Sequence, residues 1–208
     1  MADPQTKRMS LIRSFVLADF ITIGNGFAGT GAILALMQYL AVGDRGYLWA
    51  ALILLPVALV LDAADGRVAR WRHKSSALGA DLDSLADVIS FGVAPAALAF
   101  AIGMRGSLDV AVLLYFVACG ISRLARFNVT AAELSDESGK VRYFEGTPIP
   151  TSLLLVAVMA VLTWQNRIHE ALLFGEMHLG PLTLHPLVLL YLVSGTAMVS
   201  KTLRIPKW

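Results

Sequence analysis

LDAADGRVARWRHKSSALGADLDSLAD runs from Leu61 to Asp87. Two rows of aspartates are folded into it. An α-helix turns about 100° per residue, so with Asp62 at the origin Asp65 falls near −60°, Gly66 near +40°, Ala69 near −20° and Arg70 near +80°. All five share one broad stripe. After a short polar connection, Gly79, Asp83 and Asp87 step by four and form a narrow row on the next helix. A connection this short makes the two helices antiparallel neighbours, and their rows can face each other.

Both helices carry long apolar stretches on the far sides of this junction, which implies a lipid setting. Each aspartate then costs about 2.5–3.5 kcal/mol at a helix centre on insertion scales, and less near the interface. Four clustered anions also repel each other, so protons or cations must compensate. No His or Cys accompanies the group, which points to hard divalent ions with oxygen ligands, Mg²⁺ or Mn²⁺. A pair of such ions could clamp a diphosphate and stabilise phosphoryl transfer. Gly66, Ala69 and Gly79 leave room for a ligand, and Arg70 offers planar donors to phosphate or nucleotide oxygens. Ordinary interfacial acids pairing with Arg67, Arg70 and Arg72 would account for one or two of the aspartates. They would not account for four on two facing rows beside three small residues.

The rest of the chain fits that setting. Of 208 residues, 57% are hydrophobic and 15% charged, with a mean hydropathy of +0.68; a soluble domain carries about 25% charged residues. The pattern predicts an all-α integral membrane protein, one domain over residues 1–208. Six transmembrane helices are expected near 19–41, 47–70, 78–103, 108–128, 149–166 and 183–202. Residues 9–18 either form a short amphipathic interfacial helix or lengthen the first span. The basic start followed by an apolar run reads as a retained span, since no cleavage site is evident. Thr130–Gly146 reads as the longest loop, polar and suited to function.

Lysine and arginine give the orientation. Fourteen of seventeen fall on the N-terminal arm, the 2–3 connection, the 4–5 connection and the C-terminal tail; Arg45, Arg105 and Arg167 fall on the other side. Basic residues concentrate in the cytoplasm, so both termini and the aspartate site are expected there. The net charge of +2 is too small to imply nucleic acid as a partner. Cys119 is alone and cannot form an internal disulfide. Trp71, His73 and Lys74 suit headgroup anchoring, and His169, His178 and His185 fall on the side away from the aspartates.

The full spacing, D-x2-D-G-x2-A-R-x8-G-x3-D-x3-D, resembles the signature of the CDP-alcohol phosphotransferase family at every fixed position. Ordinary residue frequencies would produce it in a chain of this length with a probability on the order of 10⁻⁸. The resemblance implies a six-helix membrane fold, a homodimer among membrane lipids, and a polar site open to the cytoplasm. It implies that Asp62, Asp65 and Asp83 bind metal, with two ions expected. Asp87 is implied as the base that activates the acceptor hydroxyl while lying close to the metals. Gly66, Ala69, Arg70 and Gly79, with Asp62, would contribute to the CDP site.

Two other segments resemble the family's phosphatidylserine synthases. Thr22 and Asn25, in ADFITIGNGFAG, resemble a first-helix nucleotide-binding segment, although Ala18-Asp19 stands where Pro-Asn is common. Gly24, Gly26, Gly29 and Gly31 also permit close helix packing, and both readings hold together. ISRLARFNV (121–129) and YFEGTPIP (143–150) form the second resemblance, with Thr147 where the family usually has Leu. Arg123 and Arg126, three apart, share a helix face and could receive a carboxylate or phosphate. Positive-inside anchoring would explain the same two arginines. Pro148 and Pro150 set the entry to the fifth helix.

The expected reaction is transfer of a phosphatidyl group from CDP-diacylglycerol to L-serine, giving phosphatidylserine and CMP by direct displacement. Glycerol phosphate and inositol phosphate are the alternative acceptors. A divalent-cation transporter is the rival from another class. It would need acids spread through the membrane depth, whereas both pairs sit near one end.

Overall fold

The computed structural model of the chain describes residues 17–72, 77–134, 143–200 and 204–206. Helices α1 (Leu17–Val42) and α2 (Arg45–Arg72) are joined by a tight turn. Gly43, at φ 77°, makes the reversal, and Asp44 Oδ1 accepts the Gly46 N–H at 2.8 Å to cap α2. A continuous apolar run follows as α3 (Ala77–Asp87), a π-helical turn (Val88–Val93) and α4 (Ala94–Ile102). Gly103, at φ 134°, ends it. A Cβ there would stand 2.8 Å from His169 Cα, so only glycine fits this crossing.

Helix α5 (Ser107–Leu134) begins with a carboxylate three residues inside, Asp109, whose Oδ2 accepts the Gly106 N–H at 2.8 Å. That is the reciprocal half of a capping box. Strand β1 (Tyr143–Glu145) leads into a 3-10 turn (Ile149–Ser152) and α6 (Leu153–Trp164). Strands β2 (Met177–Leu179) and β3 (Leu182–Leu184) form a hairpin, and a 3-10 turn (Pro186–Val188) opens α7 (Leu189–Val199). Strand β4 (Arg204–Pro206) pairs antiparallel with β1, Phe144 opposite Ile205.

Helix α1 packs chiefly on α2 and α3, α4 on α6, and α5 on α7. The core between them is dry, with Ala32, Leu48, Leu55, Phe91, Leu98 and Tyr191 fully buried. Tyr191 donates its hydroxyl to the Pro95 carbonyl at 3.0 Å, so its one polar atom is satisfied inside. The outer faces are apolar as well, with Phe27, Leu34, Ile53, Val60 and Leu114 more than half exposed. An apolar surface of that extent belongs in a bilayer.

Among the described residues four helices are long and apolar enough to cross a membrane: Ala18–Val42, Arg45–Val68, Gly79–Ile102 and Ser107–Val129. They match the first four expected spans within a few residues. The last two apolar helices, Ile149–Trp164 and Pro186–Val199, are shorter. At 1.5 Å per residue they reach about 24 and 21 Å, against about 30 Å of hydrocarbon.

Three sequence expectations need correction. The expected helix at 183–202 begins as strand β3 and becomes helical only at Pro186. Proline restrains the residue before it to extended backbone, and His185 is extended at φ −93°, ψ 120°. A short apolar strand and a helix start are alike to hydropathy. The expected loop at Thr130–Gly146 is helical through Leu134. The third span is not one α-helix but is widened at Val88–Val93. Residues 9–16 and 73–76 lie outside the described residues.

Candidate active site

Helices α2 and α3, each packed on α1, bring three of the four aspartates together. One carboxylate oxygen from each of Asp62, Asp83 and Asp87 lies within 4.8 Å of the others. Asp65 is not one of that trio. It is buried, at 5% exposure, and its Oδ2 lies 2.7 Å from Thr22 Oγ1 on α1. The same hydroxyl lies 3.1 Å from the Ala18 carbonyl, so its single proton serves one of two acceptors.

Helix α1 makes a second polar contact one turn further on. Asn25, fully buried, donates from Nδ2 to Asp87 Oδ1 at 3.2 Å. Among the described residues its Oδ1 has no partner, and neither has Asp83 Oδ1. Among the described side chains none of the four aspartates has an ion-pair partner. Three close carboxylates need protons or cations to compensate their charge. A set made only of oxygens fits a hard divalent cation.

Room for a ligand exists beside the acids. A Cβ on Gly66 would meet nothing within 4 Å, so the stripe of α2 facing the trio is open there. Gly79 is half-buried on α3. Ala69 and Arg70 continue the α2 stripe, and their side chains lie outside the described residues.

The fourth wall is α5. Arg123 is half-buried, and its Nε is buried with no hydrogen-bond partner among the described residues. Its guanidinium carbon stands 6.0 Å from the Phe127 ring centroid, a cation–π contact that fixes the fork. Arg126 is half-buried on the same helix. A cavity of about 510 Å³ opens at the opposite end of the bundle between Arg105, His169, Glu170, Glu176, Thr183 and His185. It contains none of the four aspartates, so the motif's chemistry lies elsewhere.

A family profile for CDP-alcohol phosphatidyltransferase matches residues 15–192. The chain belongs to that family. Relatives named CDP-diacylglycerol–serine O-phosphatidyltransferase include one from Saccharomyces cerevisiae, 45% identical over 95% of this chain and 73% of its own length. One from Helicobacter pylori is 36% identical over 88% of this chain and 71% of its own. One from Bacillus subtilis is 32% identical over 67% of this chain and 72% of its own. Membership in a phosphatidyltransferase family sets the ion-transport reading aside: the chain is an enzyme of this type in a membrane.

Two contacts within this phosphatidyltransferase escaped the motif. Ser84, the residue after Asp83, exchanges hydrogen bonds with Asn128 on α5: Asn128 Nδ2 donates to Ser84 Oγ at 3.0 Å, with Ser84 Oγ 3.3 Å from Asn128 Oδ1. The pair ties the acidic helix to the helix carrying Arg123. Ser90, fully buried, donates to the Asn25 main-chain oxygen at 3.0 Å. Neither serine stands at a fixed motif position. The one sequence signal for the first contact was Asn128 itself, polar at the end of an apolar helix.

Proposed function

We propose that this phosphatidyltransferase moves a phosphatidyl group from CDP-diacylglycerol to the hydroxyl of L-serine, giving phosphatidylserine and CMP. The observation that carries the reading is the Asp62–Asp83–Asp87 trio, with Arg123 carried on α5, the helix packed against α3 and the turn after it. An unpartnered guanidinium nitrogen beside a carboxylate cluster suits an acceptor that bears its own carboxylate. The names of the relatives, all serine transferases, point the same way.

In this reading Asp62, Asp65, Asp83 and Asp87 would hold two divalent ions, Mg²⁺ or Mn²⁺. When bound, such ions supply the positive charge that offsets the diphosphate and the departing CMP. The chain's own residues do the rest. Gly66, Ala69, Arg70 and Gly79, with Thr22, Asn25 and Asp62, shape the CDP pocket. Arg123, with Arg126, takes the serine carboxylate and so aims its hydroxyl. Asp87 accepts the hydroxyl proton as the acceptor oxygen bonds to the lipid-bearing phosphorus and the bond to CMP breaks. No covalent enzyme intermediate forms. The two shorter helices complete six spans, both termini and the site face the cytoplasm, and two copies associate among membrane lipids.

The test is CMP release from CDP-diacylglycerol by purified protein in detergent, with Mg²⁺ or Mn²⁺. Serine, glycerol phosphate, inositol and inositol phosphate are offered in turn. Release with serine alone, accompanied by phosphatidylserine, is the expected result. Release with a phosphorylated acceptor would keep the chemistry and overturn the role given to Arg123.

A further inference from the structure

Directly after Asp87 the helix widens into the π-helical turn Val88–Val93, a departure frequent at functional sites. Within that turn Ser90 reaches across to α1. Its Oγ donates to the Asn25 carbonyl at 3.0 Å, while the Asn25 side chain donates to Asp87 Oδ1 at 3.2 Å. One residue of α1 is therefore gripped twice by residues 87–90, once through its backbone and once through its amide. A helical serine commonly bonds the carbonyl four residues back. Ser90 instead bonds across the helix pair, so the contact is not local helix housekeeping.

The face of α1 that receives it is cut to fit. Gly29 lies four residues after Asn25, on the same face. A Cβ there would stand 2.8 Å from Ser90 Cα and collide with its hydroxyl. Only glycine lets the two backbones approach closely enough for the Ser90 bond to form.

We propose that Ser90 is a positioning residue for the reaction, acting on Asp87 through Asn25. Its hydroxyl holds α1 at the separation where the Asn25 amide reaches one oxygen of the Asp87 carboxylate. The other oxygen is then left to face the acceptor hydroxyl. This rests on Asp87 serving as the base.

The experiment is a double-mutant cycle with S90A, N25A and the pair, read as kcat and as the KM values for serine and CDP-diacylglycerol at saturating metal. Thermal unfolding in detergent is recorded alongside. Loss of one hydrogen bond predicts that S90A lowers kcat about tenfold, with KM for CDP-diacylglycerol within about twofold of the parent. In the N25A background S90A then lowers kcat no further, because the residue it acts through is gone. S90C, which keeps a weak donor of similar size, recovers part of the rate. An unchanged kcat in S90A, or the same fractional loss with and without Asn25, overturns the proposal. D87N separates the two levels. If D87N is inactive and S90A is silent, the Ser90 role alone fails; if D87N still turns over, the base assignment fails and Ser90 with it.

Discussion

Thr22 and Asp65 meet across the α1–α2 interface at 2.7 Å, hydroxyl to carboxylate, with both side chains buried. Asp65 is thereby held from the first helix and not only by its neighbours on the second. T22V keeps the shape and removes the donor, leaving a buried carboxylate short of one partner at a cost of about 1–3 kcal/mol. T22V is expected to lower both the unfolding midpoint in detergent and the turnover, and T22S to restore both. A T22V protein equal to the parent in each measurement would show that the contact contributes nothing.

Asp62 and Asp87 belong to one trio, and the proposed mechanism gives them different roles. Nucleotide-lipid binding titrated against Mg²⁺ and Mn²⁺ tells them apart. D62N should weaken metal-dependent CDP-lipid binding and turnover together. D87N should abolish turnover while binding persists. Equal loss of both in D87N would contradict a role specific to proton transfer.

Gly29 and Gly66 make a contrasting pair. A methyl at position 29 meets the Ser90 backbone, whereas at position 66 it meets nothing within 4 Å. G29A should fold less stably by about 1–3 kcal/mol, the usual cost of overpacking. G66A should unfold at the parent temperature yet bind CDP-diacylglycerol less tightly, because the proposed pocket uses the open space there. A G66A enzyme with unchanged KM for the nucleotide lipid would remove Gly66 from the pocket.

Replacing Arg123 tests acceptor recognition. R123Q is expected to raise the KM for serine by tenfold or more on the energetics of a charge-assisted hydrogen bond, with KM for CDP-diacylglycerol little changed. R123K should recover little, since a point charge does not reproduce the planar fork. A rise confined to the nucleotide-lipid KM would move Arg123 to the other substrate.

At the opposite end of the bundle His169 shares a 2.6 Å hydrogen bond with Tyr39. Burial, then the charges of Arg105 and Arg45, hold its pKa below the usual histidine value of 6.5. The unfolded chain therefore takes up this proton at a higher pH than the folded one, and stability falls as pH drops through 6.5. Unfolding midpoints between about pH 5 and 8 should show that slope, and H169Q should flatten it. An identical slope in H169Q would assign the proton to another group.

The aspartate rows were legible because their spacing is a covalent fact that the helix converts directly into direction. Asp62, Asp83 and Asp87 converge as the four-residue steps require, and four spans were readable from length and hydropathy alone. The partners of those acids were not. Nothing local tells Thr22 that it will meet Asp65, 43 positions away, or Ser84 that it will meet Asn128, 44 away. Such contacts arise from packing, and a polar residue on an apolar helix announces only that it needs a partner. The β3 strand was misread for a different reason: Leu182, Thr183 and Leu184 carry the same hydropathy whichever backbone they adopt.

The widened turn after Asp87 also acts as a phase shift. One extra residue per turn advances everything beyond Val93 by about 100° relative to an unbroken α-helix. A helical wheel drawn straight from Gly79 to Ile102 would therefore assign the lipid-facing and core-facing sides correctly on the aspartate half and wrongly on the alanine-rich half. Deleting a single residue between Val88 and Val93 would let the span close into an unbroken α-helix with both halves keeping their present faces, and would remove only the widened turn that carries Ser90.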